Sequence, residues 1–241
     1  MTGCRATPRS AAARRRRAPL LALLGSAAWL CAAGSEGAPA AAPAALDLET
    51  LMGYFAKSRG VAAEFREEKS LPLLSAPLVS EGVLYFAPPD RMARFTSSPE
   101  KSSLIVVGDR LRIEDGLGVE EIDLGAQRTA KQFVDQLLVL FRGDLAGLRR
   151  DYEVGFEGDT RAWSLRLVSK SVRVRQLIRE VMLRGRADHL DEMVVSGSGG
   201  EVTRTTYQRV ATDRPFRAEE LAVLFPAQGS PAPLAGGVGT P

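Results

Sequence analysis

The sequence predicts a mainly β protein of the α+β class, a curled and incompletely closed antiparallel β-barrel of about eleven strands, with helices as a lid over an apolar interior. Three observations carry this expectation. Short runs rich in Val, Ile, Leu and aromatic residues alternate at period two and are separated by tight turn formers, which implies antiparallel neighbours. A helical block interrupts them halfway, and an apolar helix precedes them. A flat sheet of eleven strands would leave long exposed edges, so the strands must curl or close, with the helices against the concave side.

The elements follow in order. Asp47 is a good N-cap, and Leu48, Leu51, Met52 and Phe55 recur at helical spacing up to Ser58-Arg59-Gly60, with Leu46 placed to staple against Leu51. The period then drops to two. Strands are expected near 61–70, 79–87, 91–97, 103–107, 110–115 and 118–124. Pro88-Pro89-Asp90, Ser98-Pro99-Glu100, Gly108-Asp109 and Asp115-Gly116 break them. Thr129 and Gln132 form a capping box for a helix over 132–142, which Gly143 stops, and 144–152 (DLAGLRRDY) predicts a further short helix. Strands resume at 152–157, 161–168, 173–184, 189–196 and 201–209, with turns at 157–159, Gly185 and 196–200. Tyr152, Val154 and Phe156 alternate cleanly, as do Trp163, Leu165 and Leu167, so each of these strands has one buried face.

The chain has 241 residues, 32 Lys+Arg against 29 Asp+Glu and a formal charge of +3. That balance is misleading, because the basic excess sits at the start. Residues 1–40 read as a cleaved secretory signal peptide: Arg5, Arg9 and Arg14 to Arg17 precede a short apolar run at 19–33. Cleavage is expected at Ala38-Pro39-Ala40 or nearer Ala33. Without these six arginines and Glu36 the chain holds 26 basic and 28 acidic residues, and it loses both cysteines, Cys4 and Cys31. A basic nucleic-acid binder and a disulfide scaffold are both disfavoured. Residues 41–45 form a linker, 46–225 one domain and 226–241 a disordered Pro/Gly/Ala-rich tail. The compartment implied lies beyond the cytoplasm, reached by export.

Residues for chemistry are scarce. There is no CxxC, HExxH, GxSxG, phosphate-loop or dinucleotide pattern, and His189 is the only histidine. Neither an enzyme, a cofactor nor a metal is expected. Glu64 and Glu68 share one strand face and Glu67 the other, which reads as solvated charge. Arg173, Arg175 and Arg179 would share one face of the strand at 173–184, with stems covering apolar surface. That face is either an ordinary solvated one or a docking patch for a membrane or partner.

These residues also carry a resemblance. Residues 61–69 (VAAEFREEK), 76–86 (APLVSEGVLYF), Pro88-Pro89-Asp90-Arg91-Met92, Gly108-Asp109-Arg110-Leu111, Gly143-Asp144-Leu145, 163–167 (WSLRL), the strand at 178–185 and that at 200–207 resemble, in that order, LolA-like outer-membrane lipoprotein carrier proteins. The resemblance spans about 46–225. It implies an unclosed barrel with a helical lid, and a monomeric periplasmic chaperone that binds acyl chains of lipoproteins or related lipids. Such a carrier would move its cargo from an inner-membrane transporter to an outer-membrane acceptor, both met transiently. A periplasmic lipid-sensing or regulatory module on the same scaffold is the alternative.

By alternation and position, Val83, Tyr85, Phe95, Leu104, Val106, Leu111 and Ile113 are expected on the cavity wall, with Trp163 and Leu165 opposite. Phe133, Leu137, Leu138 and Phe141 would be the lid face. LolA proteins carry an arginine-proline pair whose arginine helps hold the lid. This chain has Ala87-Pro88-Pro89-Asp90 there, which leaves Arg91 or Arg94 as the polar contact to lid or cavity.

Overall fold

Asp47 caps the first helix as its sequence predicts: its Oδ1 accepts from the Thr50 amide at 2.8 Å. In the computed structural model, which describes residues 45–226, this helix is α1 (Leu48–Lys57). Leu51 and Met52 are fully buried on its inner face, and Leu46 is buried just before it. A first meander follows: β1 (Val61–Ser70), β2 (Leu78–Ala87), β3 (Arg91–Ser98), β4 (Ser102–Val107), β5 (Arg110–Asp115) and β6 (Gly118–Asp123). The helices α2 (Arg128–Phe141) and α3 (Leu145–Asp151) come next. The second meander holds β7 (Tyr152–Gly158), β8 (Trp163–Ser169), the single turn α4 (Val172–Arg175), β9 (Ile178–Arg186), β10 (His189–Gly197) and β11 (Val202–Ala211). The helix α5 (Ala218–Leu224) ends the described chain.

All eleven strands form one antiparallel sheet in the order β6-β5-β4-β3-β2-β1-β11-β10-β9-β8-β7. The two meanders are joined where β1 pairs with β11, for example Phe65 opposite Tyr207. The ladder does not close: β6 and β7 are its two edges, and α2 and α3 carry the chain from one to the other. The sheet is strongly curled. One apolar cluster draws on both meanders and on α1, α2 and α3 together, which requires the sheet to wrap around the helices.

Cross-strand register shows which side chains face that interior. In the first meander one inward row is Phe86–Met92–Val106–Leu111 and the next is Ala63–Leu84–Arg94–Leu104–Ile113. In the second, the rows are Met193–Leu183–Leu165–Phe156 and Val195–Val181–Leu167–Val154. The two helices are docked closely. At Gly143 φ is +65°, and a Cβ built there would lie 2.2 Å from the Ala56 nitrogen and 2.4 Å from the Met52 oxygen, both on α1. Only glycine fits this turn between α2 and α3.

A second cluster lies on the convex side. Ala62, Tyr85, Ala87, Ala93, Phe95 and Ile105 are covered there by Phe216, Leu221, Leu224 and Phe225. Phe95 and Phe216 each meet the Tyr85 ring edge-on, at 6.2 and 6.3 Å between centroids, and the Arg214 guanidinium sits 4.6 Å over Phe216. The strap that does this, residues 212–225 with α5, has no periodicity in the sequence that predicts it.

Three local expectations are corrected. The helix expected from 132 begins at Arg128, with Gln127 as an N-cap that makes no side-chain capping bond. The run expected as one strand over 173–184 divides: Arg173 and Arg175 lie in α4, and only Arg179 lies in the strand β9. The turn expected at Gly185 falls at Ala187-Asp188, because the Trp163 ring packs onto Gly185 and keeps it in the ladder.

Candidate functional site

The interior rows do not pack solid against the helices. Between them is an apolar cavity of about 320 Å³, at the lower end of the range for ligand sites. Met92, Leu104, Val106 and Leu111 form one wall, from β3, β4 and β5. Leu167, Val181, Leu183, Met193 and Val195 form the other, from β8, β9 and β10. Val134 and Leu140 of α2 roof it, and Tyr152, Ser169, Val174 and Ile178 complete it. Ser169 and Tyr152 are the lining residues whose side chains carry a polar group. Burial, with a smaller contribution from Asp151, pushes the Tyr152 hydroxyl up to about 12, so it stays neutral.

The roof is fastened at its C-terminal end. Phe141 packs on Phe86 at 5.4 Å between ring centroids, and the Arg142 Nε donates to the Pro89 carbonyl at 2.7 Å. The contact runs from the lid to the β2–β3 turn. The expected arginines do other work. Arg94 does face the interior, but it lies 4.2 Å over the Phe65 ring and 3.0 Å from Glu67. Glu67 also accepts from the Thr205 hydroxyl at 3.3 Å. Arg91 pairs in register with Ala87 and Val107 on the convex face. Neither of them holds the lid.

This polar seat is partly desolvated. The Arg94 and Glu67 side chains are 30% and 23% exposed, and the buried Arg94 Nη2 is close enough for an ion pair yet not aligned for a hydrogen bond. Beside it, the hydroxyl of Tyr207 is raised well above the usual tyrosine range by burial. Glu67 is therefore not part of a solvated strand face; Glu64 and Glu68 lie on the outer one, paired with Arg209 and Arg66.

Of the expected wall residues, Leu104, Val106 and Leu111 line the cavity. Ile113, Trp163 and Leu165 lie on the same interior face and pack into the core around it. Val83, Tyr85 and Phe95 are corrected: they belong to the convex cluster under the strap. The physical reason is visible in β2, where Val83 to Ala87 is unbroken apolar sequence covered on both faces, so alternation cannot tell inside from outside. Of the lid, Leu138 is buried against the core and Phe141 caps Phe86. The side chains of Phe133 and Leu137 lie outside the described residues. Met92, Val181, Met193 and Val195 were readable only once the register of their strands was known.

No group of three or more His, Cys, Asp and Glu able to hold a metal occurs among the described residues, and no described helix is long and apolar enough to cross a membrane. A family model described as "Outer membrane lipoprotein carrier protein LolA-like" matches residues 40–223. The chain belongs to the LolA-like family. No curated protein matches its sequence. Among solved structures, this LolA-like chain is similar to a LolA superfamily protein from Nitrosomonas europaea at 10% identity and TM-score 0.41, covering 73% of this chain and 97% of that one. It is similar to a chain of the Pseudomonas aeruginosa MucA/MucB complex at 14% and 0.43, covering 72% and 58%. For the Mycobacterium tuberculosis lipoprotein LppX the values are 12%, 0.37, 70% and 93%.

Proposed function

We propose that this protein is a periplasmic carrier that takes up the acyl chains of lipoproteins or related lipids and moves them from the inner to the outer membrane. The observation that carries the reading is the apolar cavity under α2, in a chain of the LolA-like family. An acyl chain in water costs roughly 0.8 kcal/mol for each exposed CH₂, and a wall of aliphatic side chains with two hydroxyls removes that cost without chemistry. Apart from those two hydroxyl side chains, the described wall offers no polar group that would make the cargo hard to release. In this reading residues 1–40 are a cleaved signal, 46–225 the carrier domain and 226–241 a tail. The carrier acts as a monomer and meets its transporter and acceptor only in passing.

Native mass spectrometry of the protein isolated from its own periplasm tests the reading, the expected result being co-purified acyl lipid. The complementary measurement uses a fluorescent fatty acid. Leu104→Trp and Val181→Trp, from opposite walls, are each expected to fill the cavity and weaken binding at least about tenfold while the fold is retained. Lipid-free protein together with unchanged probe binding in both variants would refute it.

A further inference from the structure

Most of the large apolar side chains exposed on the described surface gather at one end of the sheet. This is the end where β1 leaves for β2, β8 for β9 and β10 for β11. Leu73 is 97% exposed and Val172 62%, and Leu74, Leu78 and Leu177 are about half exposed. The loops that hold them form one rim. The Ser198 amide donates to the Leu177 carbonyl at 3.1 Å, and Pro72 stands against Gly200 on the next turn. The rim is also cationic. Lys69, Lys170, Arg173, Arg175 and Arg179 surround it, and none is in an ion pair among the described residues; Lys170 and Arg175 donate to backbone carbonyls at 2.7 Å, which leaves their charge uncompensated. Of the nearby carboxylates, Glu68 is held by Arg66 and Glu180 by Arg166, while Glu201 stands on the β10–β11 turn.

We propose that this rim docks on an anionic lipid surface, with Leu73, Leu74, Val172 and Leu177 entering the interface and the cations meeting the headgroups. Aliphatic tips ringed by Lys and Arg are the pairing that an anionic membrane surface rewards. The contrast within the molecule supports this choice of partner. Leu117 and Val119, at the tip of the β5–β6 hairpin, are also exposed, but Glu114, Asp115, Glu120 and Glu121 surround them. That tip fits no anionic surface. α4 links the rim to the interior: Val174 lines the cavity while Val172, two residues away, faces outward.

The test is co-sedimentation of the protein, as recovered from the cells that express it, with vesicles of phosphatidylcholine and phosphatidylglycerol at 3:1, against phosphatidylcholine alone. Binding is expected to the mixed vesicles only and to fall with salt. Leu73→Glu with Leu74→Glu is expected to weaken it at least about tenfold. Arg173→Gln with Arg179→Gln should cost on the order of twentyfold, at about fivefold per cation. Leu117→Glu is expected to change nothing. Circular dichroism melts establish that each variant is folded, and Leu73→Ser with Leu74→Ser replaces the first pair if it is not. Equal binding to neutral vesicles, or unchanged binding by both paired variants, would overturn the proposal. So would a concentration-dependent dimer abolished by the leucine changes, which would make the rim a contact between copies. Vesicle binding is read without reference to cavity occupancy, so this result stands apart from the fatty-acid measurement.

Discussion

Arg94 is a cation that the barrel turns inward, and its neighbours explain how the interior tolerates it. Glu67 supplies the opposite charge, Phe65 an aromatic face and Thr205 a hydroxyl to the carboxylate. A partly desolvated pair of this kind adds little net stability, yet breaking it leaves a charge without a counterion. Glu67→Ala is expected to cost about 1–3 kcal/mol in urea denaturation, below the fully buried range because water still reaches both groups. Replacing the pair together, Glu67→Leu with Arg94→Met, should recover most of that loss. A double variant as unstable as Glu67→Ala would show that charge compensation is not what Glu67 provides. The sequence offers Arg94 as a polar contact to lid or cavity, but its meeting with Glu67 depends on the register of β1, β2 and β3, and the hydroxyl that braces Glu67 comes across the β1–β11 joint from a residue more than a hundred positions away.

At the scale of elements, the lid and α1 behave as one docked pair, and Gly143 is the test of it. Gly143→Ala adds a methyl where backbone atoms of α1 already stand and forces a non-glycine residue to positive φ. It is expected to destabilise the protein by at least about 1 kcal/mol and to raise amide exchange in α2 before the strands. Unchanged α2 protection would show that the lid does not depend on α1. Most strands were legible because turn chemistry marks their ends, and α1 because Asp47 and its apolar spacing agree. The misplaced wall residues have a shared cause. In β2 both faces are apolar and in β3 both faces are covered, since the α5 strap lies on the convex side, so the period-two signal is lost where it was most needed. The strap itself is short and lies in a charged, Pro-containing stretch, with no periodicity to announce that Phe216, Leu224 and Phe225 would be buried.

For the whole molecule, carboxylates in and just beyond the second meander are held by arginines and a hydroxyl. Burial alone would raise Glu192, but hydrogen bonds from Arg184 and Arg204 outweigh it and hold the group below its ordinary 4.5. Asp188 follows the same pattern, with burial opposed chiefly by the Thr212 hydroxyl, and Asp213 is lowered by the hydrogen bonds of Arg59. Each is more acidic folded than unfolded. Their stabilisation is therefore complete above the ordinary values of 4.5 and 3.8 and is lost as pH falls through the lower folded ones. Urea midpoints are expected to hold steady from about pH 7 to 5 and then fall towards pH 3. Glu192→Gln is expected to reduce that dependence. A flat profile in the unmodified protein would show that these pairs do not couple to folding.

The unpaired edges of β6 and β7 have a consequence for size. A closed barrel has a girth fixed by its number of strands and their stagger, so its bore cannot change without breaking a ladder. Here the hoop has a seam, bridged by α2 and α3 and not by hydrogen bonds between strands. The ring can widen or narrow at that seam while every strand pair stays intact. Under the carrier reading, the volume available to cargo is then set by two helices rather than by the sheet, and cargoes of different bulk can share one wall.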